Sequence, residues 1–282
     1  MIIKDFLPGP LVSEFVQCYR IVHFEFETSE QIPFKAYPPK PETCLYFNLQ
    51  DSLFVEFGNS GEKKKLPQTV LIGQQTSVNY RYFRKSFLNF QVVFKPTGLF
   101  RLTGIPSLEF TNQIIDAELI FPKSIRFVYE ELQNAISYVE MLPVADRFVT
   151  GLVCHARREL HLLDSVSNLM MHRGGTVSMD WLANESCLCA KQFNRKFNER
   201  AGVNPKTFAR IIRFTKAFNT RNANPGMNWL RIALECEYFD YQHLVKDYKD
   251  LTGITPNELH LLESNSPECR LGMSSQLYRS RV

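Results

Sequence analysis

Residues 197–208 read FNERAGVNPKTF and residues 248–259 read YKDLTGITPNEL. Phe197 pairs with Tyr248, Gly202 with Gly253, Pro205 with Pro256 and Phe208 with Leu259, each at an offset of 51. Upstream, Leu182-Ala183 pairs with Ile232-Ala233 at an offset of 50, so the turn of the second copy holds one extra residue. Such self-similarity marks a repeated supersecondary unit. In each copy a short helix carries the apolar–Ala pair and a tight turn follows. The next helix holds large apolar residues four apart, Phe193/Phe197 and Leu244/Tyr248. A Gly then ends that helix and a Pro opens another. The small Ala lets two helices cross closely, which is helix-turn-helix geometry.

The run IALECEYFDYQHLVKDYKDLTGITPNEL (residues 232–259) carries an Ile-Ala helix, a Tyr-x-Asp-x-x-x-Leu recognition helix and a Gly-x-x-Pro ending. On these residues, the region from about Asp164 to Leu262 resembles the DNA-binding domain of the AraC/XylS family of transcription regulators. The resemblance implies two helix-turn-helices joined by one long helix over about Pro205–Thr220. It implies double-stranded DNA as partner, with RNA polymerase added if the chain activates. More loosely, LIGQQTSVNYRYF…FKPTGLFRLTGIP resembles the N-terminal sensor part of some members. The chain departs from the family at Cys187 and Glu237, where members often carry Gly and a left-handed backbone is convenient.

Charge is uneven between the copies. From Ser186 to Arg221 there are nine bases and one acid; from Arg231 to Glu258 there are three bases and six acids. Phosphate neutralisation dominates DNA affinity, so the first copy is expected to anchor. With Phe193 and Phe197 inward, the first recognition helix (about Ala190–Arg200) presents Lys191, Gln192, Asn194, Arg195 and Asn198. Arg and Lys suit guanine, Gln and Asn suit adenine. The second presents Tyr241, Gln242, His243 and Lys246, and Asp240 reads as its N-cap. His243 occupies a position where many relatives also carry His, so the resemblance leaves a structural role open beside a base contact.

The first ~120 residues read as β. IVHFEFET, LYFNL, SLFVEFG, TVLIG, VNYRYFRK and FLNFQVVFK are strand-like runs separated by Pro and Gly turns. This predicts a barrel or sandwich of the cupin kind, rich in Phe. A packed aromatic core and a ligand-holding barrel are both compatible with it. Tyr80, Arg81, Tyr82, Arg84 and Arg101 are candidates to bind a small-molecule effector, an anionic one in particular.

The fold class expected is therefore α+β and multidomain. A β-rich sensor spans 1–122 and a helical linker 123–162, with Ile125, Val128, Leu132 and Ile136 as its stripe and Pro143 opening its next helix. Packing onto the β-domain and homodimerisation are alternatives for that stripe. The DNA-binding domain spans 163–262 after a break at His172–Gly175, and 263–282 reads as a flexible tail.

The 282 residues are 44% hydrophobic and 22% charged, with a formal net charge of +4, ordinary for a globular chain. No apolar run approaches the roughly 20 residues of a membrane helix, and no signal peptide is evident at MIIKDFLPGP. Seven scattered cysteines, with C-x-C as the one close pair, fit free thiols in the cytoplasm. Residues 1–150 contain one histidine, His23, too few for a metal barrel enzyme. No nucleophile elbow, P-loop or dinucleotide motif occurs, and no cofactor or metal is expected. The chain also lacks the Cys zinc module that methyl-accepting repair regulators add to this domain. A protein–protein module with a decayed DNA-binding domain remains the alternative function.

Overall fold

The structure, a computed structural model, describes residues 1–27, 32–58, 60–157, 159–274 and Tyr278. The N-terminal strands are β1 (Ile2–Phe6), β2 (Val16–Glu25), β3 (Lys35–Tyr37), β4 (Thr43–Asn48) and β5 (Phe54–Phe57). They continue with β6 (Lys64–Lys65), β7 (Thr69–Ile72), β8 (Asn79–Tyr82), β9 (Ser86–Phe94) and β10 (Ile114–Asp116). Each strand-like run of the sequence contributes one of them. They form two antiparallel sheets, in the orders β1-β2-β9-β4-β7-β10 and β3-β8-β5-β6. Both sheets are open, so the barrel expectation gives way to a sandwich. The outer strands β1 and β10 of the larger sheet do not pair with each other, and no ladder joins the two sheets.

The larger sheet is buried on both faces. Along β4, Cys44 and Tyr46 face the smaller sheet, while Leu45 and Phe47 face the helices. Strand β2 divides likewise, with Cys18, Val22 and Phe24 on one face and Tyr19 and Ile21 on the other. This accounts for near-continuous apolar runs instead of clean alternation.

Helix α1 (Gly98–Thr103), α2 (Ile125–Asn134) and α3 (Tyr138–Cys154) cover the outer face of that sheet. The stripe Ile125, Val128, Leu132 points inward and is buried. Ile136 lies past the end of α2 and is 93% exposed, so it is not part of the stripe. Pro143 does not open α3, which starts five residues earlier on the Ser137 cap.

The C-terminal domain contains α4 (Leu162–His172), α5 (Met179–Glu185), α6 (Ala190–Ala201) and α7 (Pro205–Ala223). It continues with α8 (Trp229–Glu235), α9 (Tyr241–Thr252), α10 (Pro256–Ser264) and α11 (Pro267–Arg270). Helices α5–α6 and α8–α9 are the two helix-turn-helices, and α7 joins them. Leu182, Ala183, Phe193, Phe197 and Phe208 form the core of the first. Ile232, Ala233, Leu244, Tyr248 and Leu259 belong to an apolar cluster that continues into the β-sandwich.

The segment after Leu262, read from sequence as a flexible tail, is packed where it is described. Glu263, Glu268, Met273 and Tyr278 are all buried. The reason lies 228 residues away: Lys35 on β3 places its Nζ 2.7 Å from Glu263 and 3.1 Å from Glu268. Burial alone would lower the Lys35 ammonium's affinity for its proton, but Glu263 and then Glu268 more than reverse this. The Tyr278 hydroxyl also donates to Glu263.

Candidate nucleic-acid interface

Both turns keep the left-handed backbone without glycine: φ is +54° at Cys187 and +59° at Glu237. The family's turn geometry thus survives, at a cost of about 1–2 kcal/mol for each L-residue held there. Asp240 caps α9 as expected, accepting from the His243 N–H at 2.7 Å. Cys189 occupies the same place before α6, but its side chain makes no capping bond.

On α6, the buried rings of Phe193 and Phe197 fix the helix roll, with centroids 5.8 Å apart. Lys191, Gln192, Asn194 and Arg195 are exposed on the other side and Asn198 is half-buried. The Asn194 amide bonds back to the Ala190 carbonyl at 3.0 Å. On α9, Gln242 and Lys246 are exposed, while Tyr241 and His243 are half-buried. The His243 ring meets Tyr238 edge-on at 5.3 Å, which gives it a packing role.

The charge arithmetic of the sequence does not carry over to the surface. Asp247 is 1% exposed and receives Arg210 Nε at 2.8 Å and Arg213 at 3.5 Å, both from α7. Arg210 also reaches Asp250 at 2.6 Å. The acids of the second copy therefore neutralise bases of the first, across the α7–α9 contact. Arg200 is withdrawn too. It is 7% exposed, lies over the Phe100 ring and contacts Asp164 at 3.4 Å. By contrast, among the described residues no acid lies within 4 Å of Lys191, Arg195, Lys196 or Lys206.

Lys206, not singled out from sequence, sits at the start of α7. It lines a groove of about 820 Å³ between the two motifs together with Arg210, Arg213, His243 and Lys246. Phe239, 89% exposed just before the α9 cap, was also passed over. An unpaired aromatic in a turn next to a cap is the signal that marks it.

The C-terminal end of α6 is held by the β-domain. Ser107 Oγ donates to the Arg200 carbonyl at 2.7 Å, and Thr111 Oγ1 donates to the Gly202 carbonyl at 2.5 Å. Arg101, expected in an effector site, belongs to this joint instead. It pairs with Glu14 at 2.9 Å, approaches Asp164 at 3.8 Å and covers the Phe15 ring.

The other four effector candidates do not converge either. The alternation of β8 buries Arg81 and turns Tyr80 and Tyr82 to the opposite face. Tyr82 donates to Glu56 at 2.6 Å, and burial together with that bond pushes its pKa up to about 12. Arg84 is exposed beside Phe54. Arg81 alone lines a cavity of about 50 Å³ within the sandwich, with Arg20, Lys35, Glu42, Asn79 and Gln91. Its guanidinium stacks on Tyr37 at 3.5 Å and donates to the Tyr46 hydroxyl at 3.2 Å.

Among the described residues, no helix is long and apolar enough to cross a membrane, and no group of three or more His, Cys, Asp or Glu could hold a metal ion. Residues 182–260 match a family model described as "Helix-turn-helix domain". Residues 4–116 match one described as "Domain of unknown function (DUF6597)". Among solved structures the chain is similar to ToxT from Vibrio cholerae, at 11% identity and a TM-score of 0.48, covering 87% of this chain and 98% of that one. It is also similar to the unsaturated fatty acid bound wild-type ToxT of that organism, at 12% identity and a TM-score of 0.47, covering 86% and 94%. A search of curated proteins finds no match. The chain thus carries an AraC-type helix-turn-helix domain, doubled about α7 and placed behind a β-rich domain.

Proposed function

We propose that the chain is a one-component transcription regulator that binds double-stranded DNA through α6 and α9. The observation that carries this reading is the surface of α6. Lys191, Gln192 and Arg195 project together from a helix whose roll is fixed by two buried rings, and among the described residues the two cations have no acid within ion-pair reach. A recognition helix in this motif lays its N-terminal residues against base edges. On α9, Gln242 and Lys246 add contacts, and Lys206 in the groove between the motifs meets the phosphate backbone. Genome-wide mapping of bound DNA, followed by titration on the recovered sites at fixed salt, tests this. Binding no tighter than to random duplex would reject it.

The regulatory half of the reading places a small anionic effector beside Arg81. This buried guanidinium has no carboxylate within 4 Å among the described residues. A buried cation held only by neutral partners is costly, and an anion would offset it. Thermal-shift titration of wild type and Arg81→Gln with small carboxylates and phosphates tests the site. A second copy is proposed to dock on the α2–α3 face, where Phe127, 66% exposed, borders a groove of about 420 Å³ with Val144, Phe148 and Leu152. Light scattering of Phe127→Glu against wild type checks it.

A further inference from the structure

Two thiols bracket the turn of the first helix-turn-helix. Cys187 and Cys189 are both exposed, and Leu188 alone separates them. Consecutive Cα atoms lie about 3.8 Å apart, so the two Cα atoms cannot be more than roughly 7 Å apart. Disulfides span about 4.4–6.8 Å between Cα atoms, so chain connectivity keeps the pair at or near that range and a local turn of the backbone completes it. Among the described residues neither thiol makes a hydrogen bond, and Cys189 leaves its capping position unused.

The other cysteines differ. Cys18, Cys44 and Cys236 are buried. Burial pushes the Cys44 and Cys236 thiols up, which suppresses the reactive thiolate. Cys269 accepts from the Ser274 hydroxyl. Cys154 is exposed at the end of α3 with no second cysteine near it in sequence.

The position is what gives the pair a consequence. Cys187 holds the left-handed residue of the turn, and Cys189 is the N-cap of α6. The second copy places Glu237 and the capping Asp240 at these points. We propose that Cys187 and Cys189 are a redox-modification site, oxidised by hydrogen peroxide to a disulfide that detaches the first recognition helix from DNA. One thiolate attacks a peroxide oxygen and the O–O bond breaks, leaving a sulfenic acid and, after proton transfer, water. The second thiol attacks that sulfur, an S–S bond forms and a second water leaves. Two electrons pass from the sulfurs to the peroxide. Closing the small ring across Leu188 draws the turn inward and moves the start of α6, from which Lys191 and Gln192 project.

The release step rests on the DNA reading above; the thiol step does not. The test treats the full chain with hydrogen peroxide, alkylates the remaining thiols and measures peptide masses. The peptide holding both cysteines is expected to lose two hydrogens and escape alkylation. In parallel, affinity for a random duplex at low salt is expected to fall about tenfold or more, the scale of losing a principal contact, and to return with dithiothreitol. Cys189→Ser, which supplies a good capping side chain and so preserves the helix, should bind DNA equally before and after peroxide. Alkylation of both cysteines after peroxide would overturn the proposal. So would a disulfide that leaves affinity unchanged, or a response that Cys154→Ser abolishes and Cys189→Ser does not. Failure of the untreated chain to bind any duplex would overturn the DNA reading and the release step, while the peptide mass still decides the thiol chemistry.

Discussion

The two helix-turn-helices share a backbone and dispose of their charge in opposite ways. In the first, Lys191, Arg195 and Lys196 have no acid within reach among the described residues, and the far end of α6 is bonded to Ser107 and Thr111 of the β-domain. In the second, Asp247 of α9 is buried and holds Arg210 and Arg213 of the joining helix. Net charge by segment therefore misjudges what each motif offers to a phosphate. A base 37 residues away in sequence can be paired with an acid that belongs to the other copy.

The contrast is broken most severely at Asp247. Removing a buried partner leaves its counter-charges unpaired. Asp247→Ala is expected to destabilise the chain by about 2–3 kcal/mol, discounted because Arg210 and Arg213 keep some solvent. Urea denaturation measures it. An unchanged midpoint would mean that the pairing contributes nothing to the fold.

Arg195→Ala is expected to lose about 1–3 kcal/mol of specific binding if the guanidinium reads a base. Lys246→Ala and Lys206→Ala should each flatten the log–log salt dependence by about one unit, the signature of a phosphate contact. Titrations across a salt series separate the two classes. If Lys246→Ala costs more than Arg195→Ala on every sequence, the first motif is not the anchor.

Glu237→Gly sharpens the comparison in the other direction. Relief of the left-handed strain is partly offset by the extra freedom of glycine when unfolded, leaving a gain of about 1 kcal/mol. Calorimetry should show a raised melting temperature. A lowered one would mean that the distant Lys216 contact at 3.9 Å outweighs the strain.

The smallest effect is set by pH. Burial, then Arg200 and Lys196, hold the His161 imidazole below its ordinary value of 6.5. Its Nδ1 must stay unprotonated to accept the Leu163 N–H at 3.1 Å. Since the unfolded chain takes up the proton first, stability is full above about 6.5 and is lost as pH falls toward the folded value. His23 and His260 shift the same way, chiefly through burial. His161→Asn, which keeps the cap, should flatten part of the acid-side fall in melting temperature.

Much of this was legible in the chain. The repeat fixes the two motifs because glycine, proline and paired apolar residues have local meanings. The α6 helix was expected to end at Arg200 and ends at Ala201. What escaped depends on partners remote in sequence. Arg81 and its neighbours Tyr80 and Tyr82 were grouped as one site, yet strand alternation alone separates them. Arg101 and Arg200 looked like free cations until the fold brought Asp164 between them. The polar composition after Leu262 read as mobile because nothing local reveals that a buried lysine on β3 is waiting for two of its acids.

That lysine bears on how such a regulator could be rebuilt from parts. Domains joined only by a linker can be exchanged freely between proteins. Here the β-domain's Lys35 draws its counter-charge from the segment that follows the DNA-binding domain. A β-domain expressed alone would leave that ammonium without its two carboxylates. A chimera with a foreign DNA-binding domain would need to import Glu263 and Glu268 with it. The closing segment is thus shared property of the two halves, and selection on either one constrains the other.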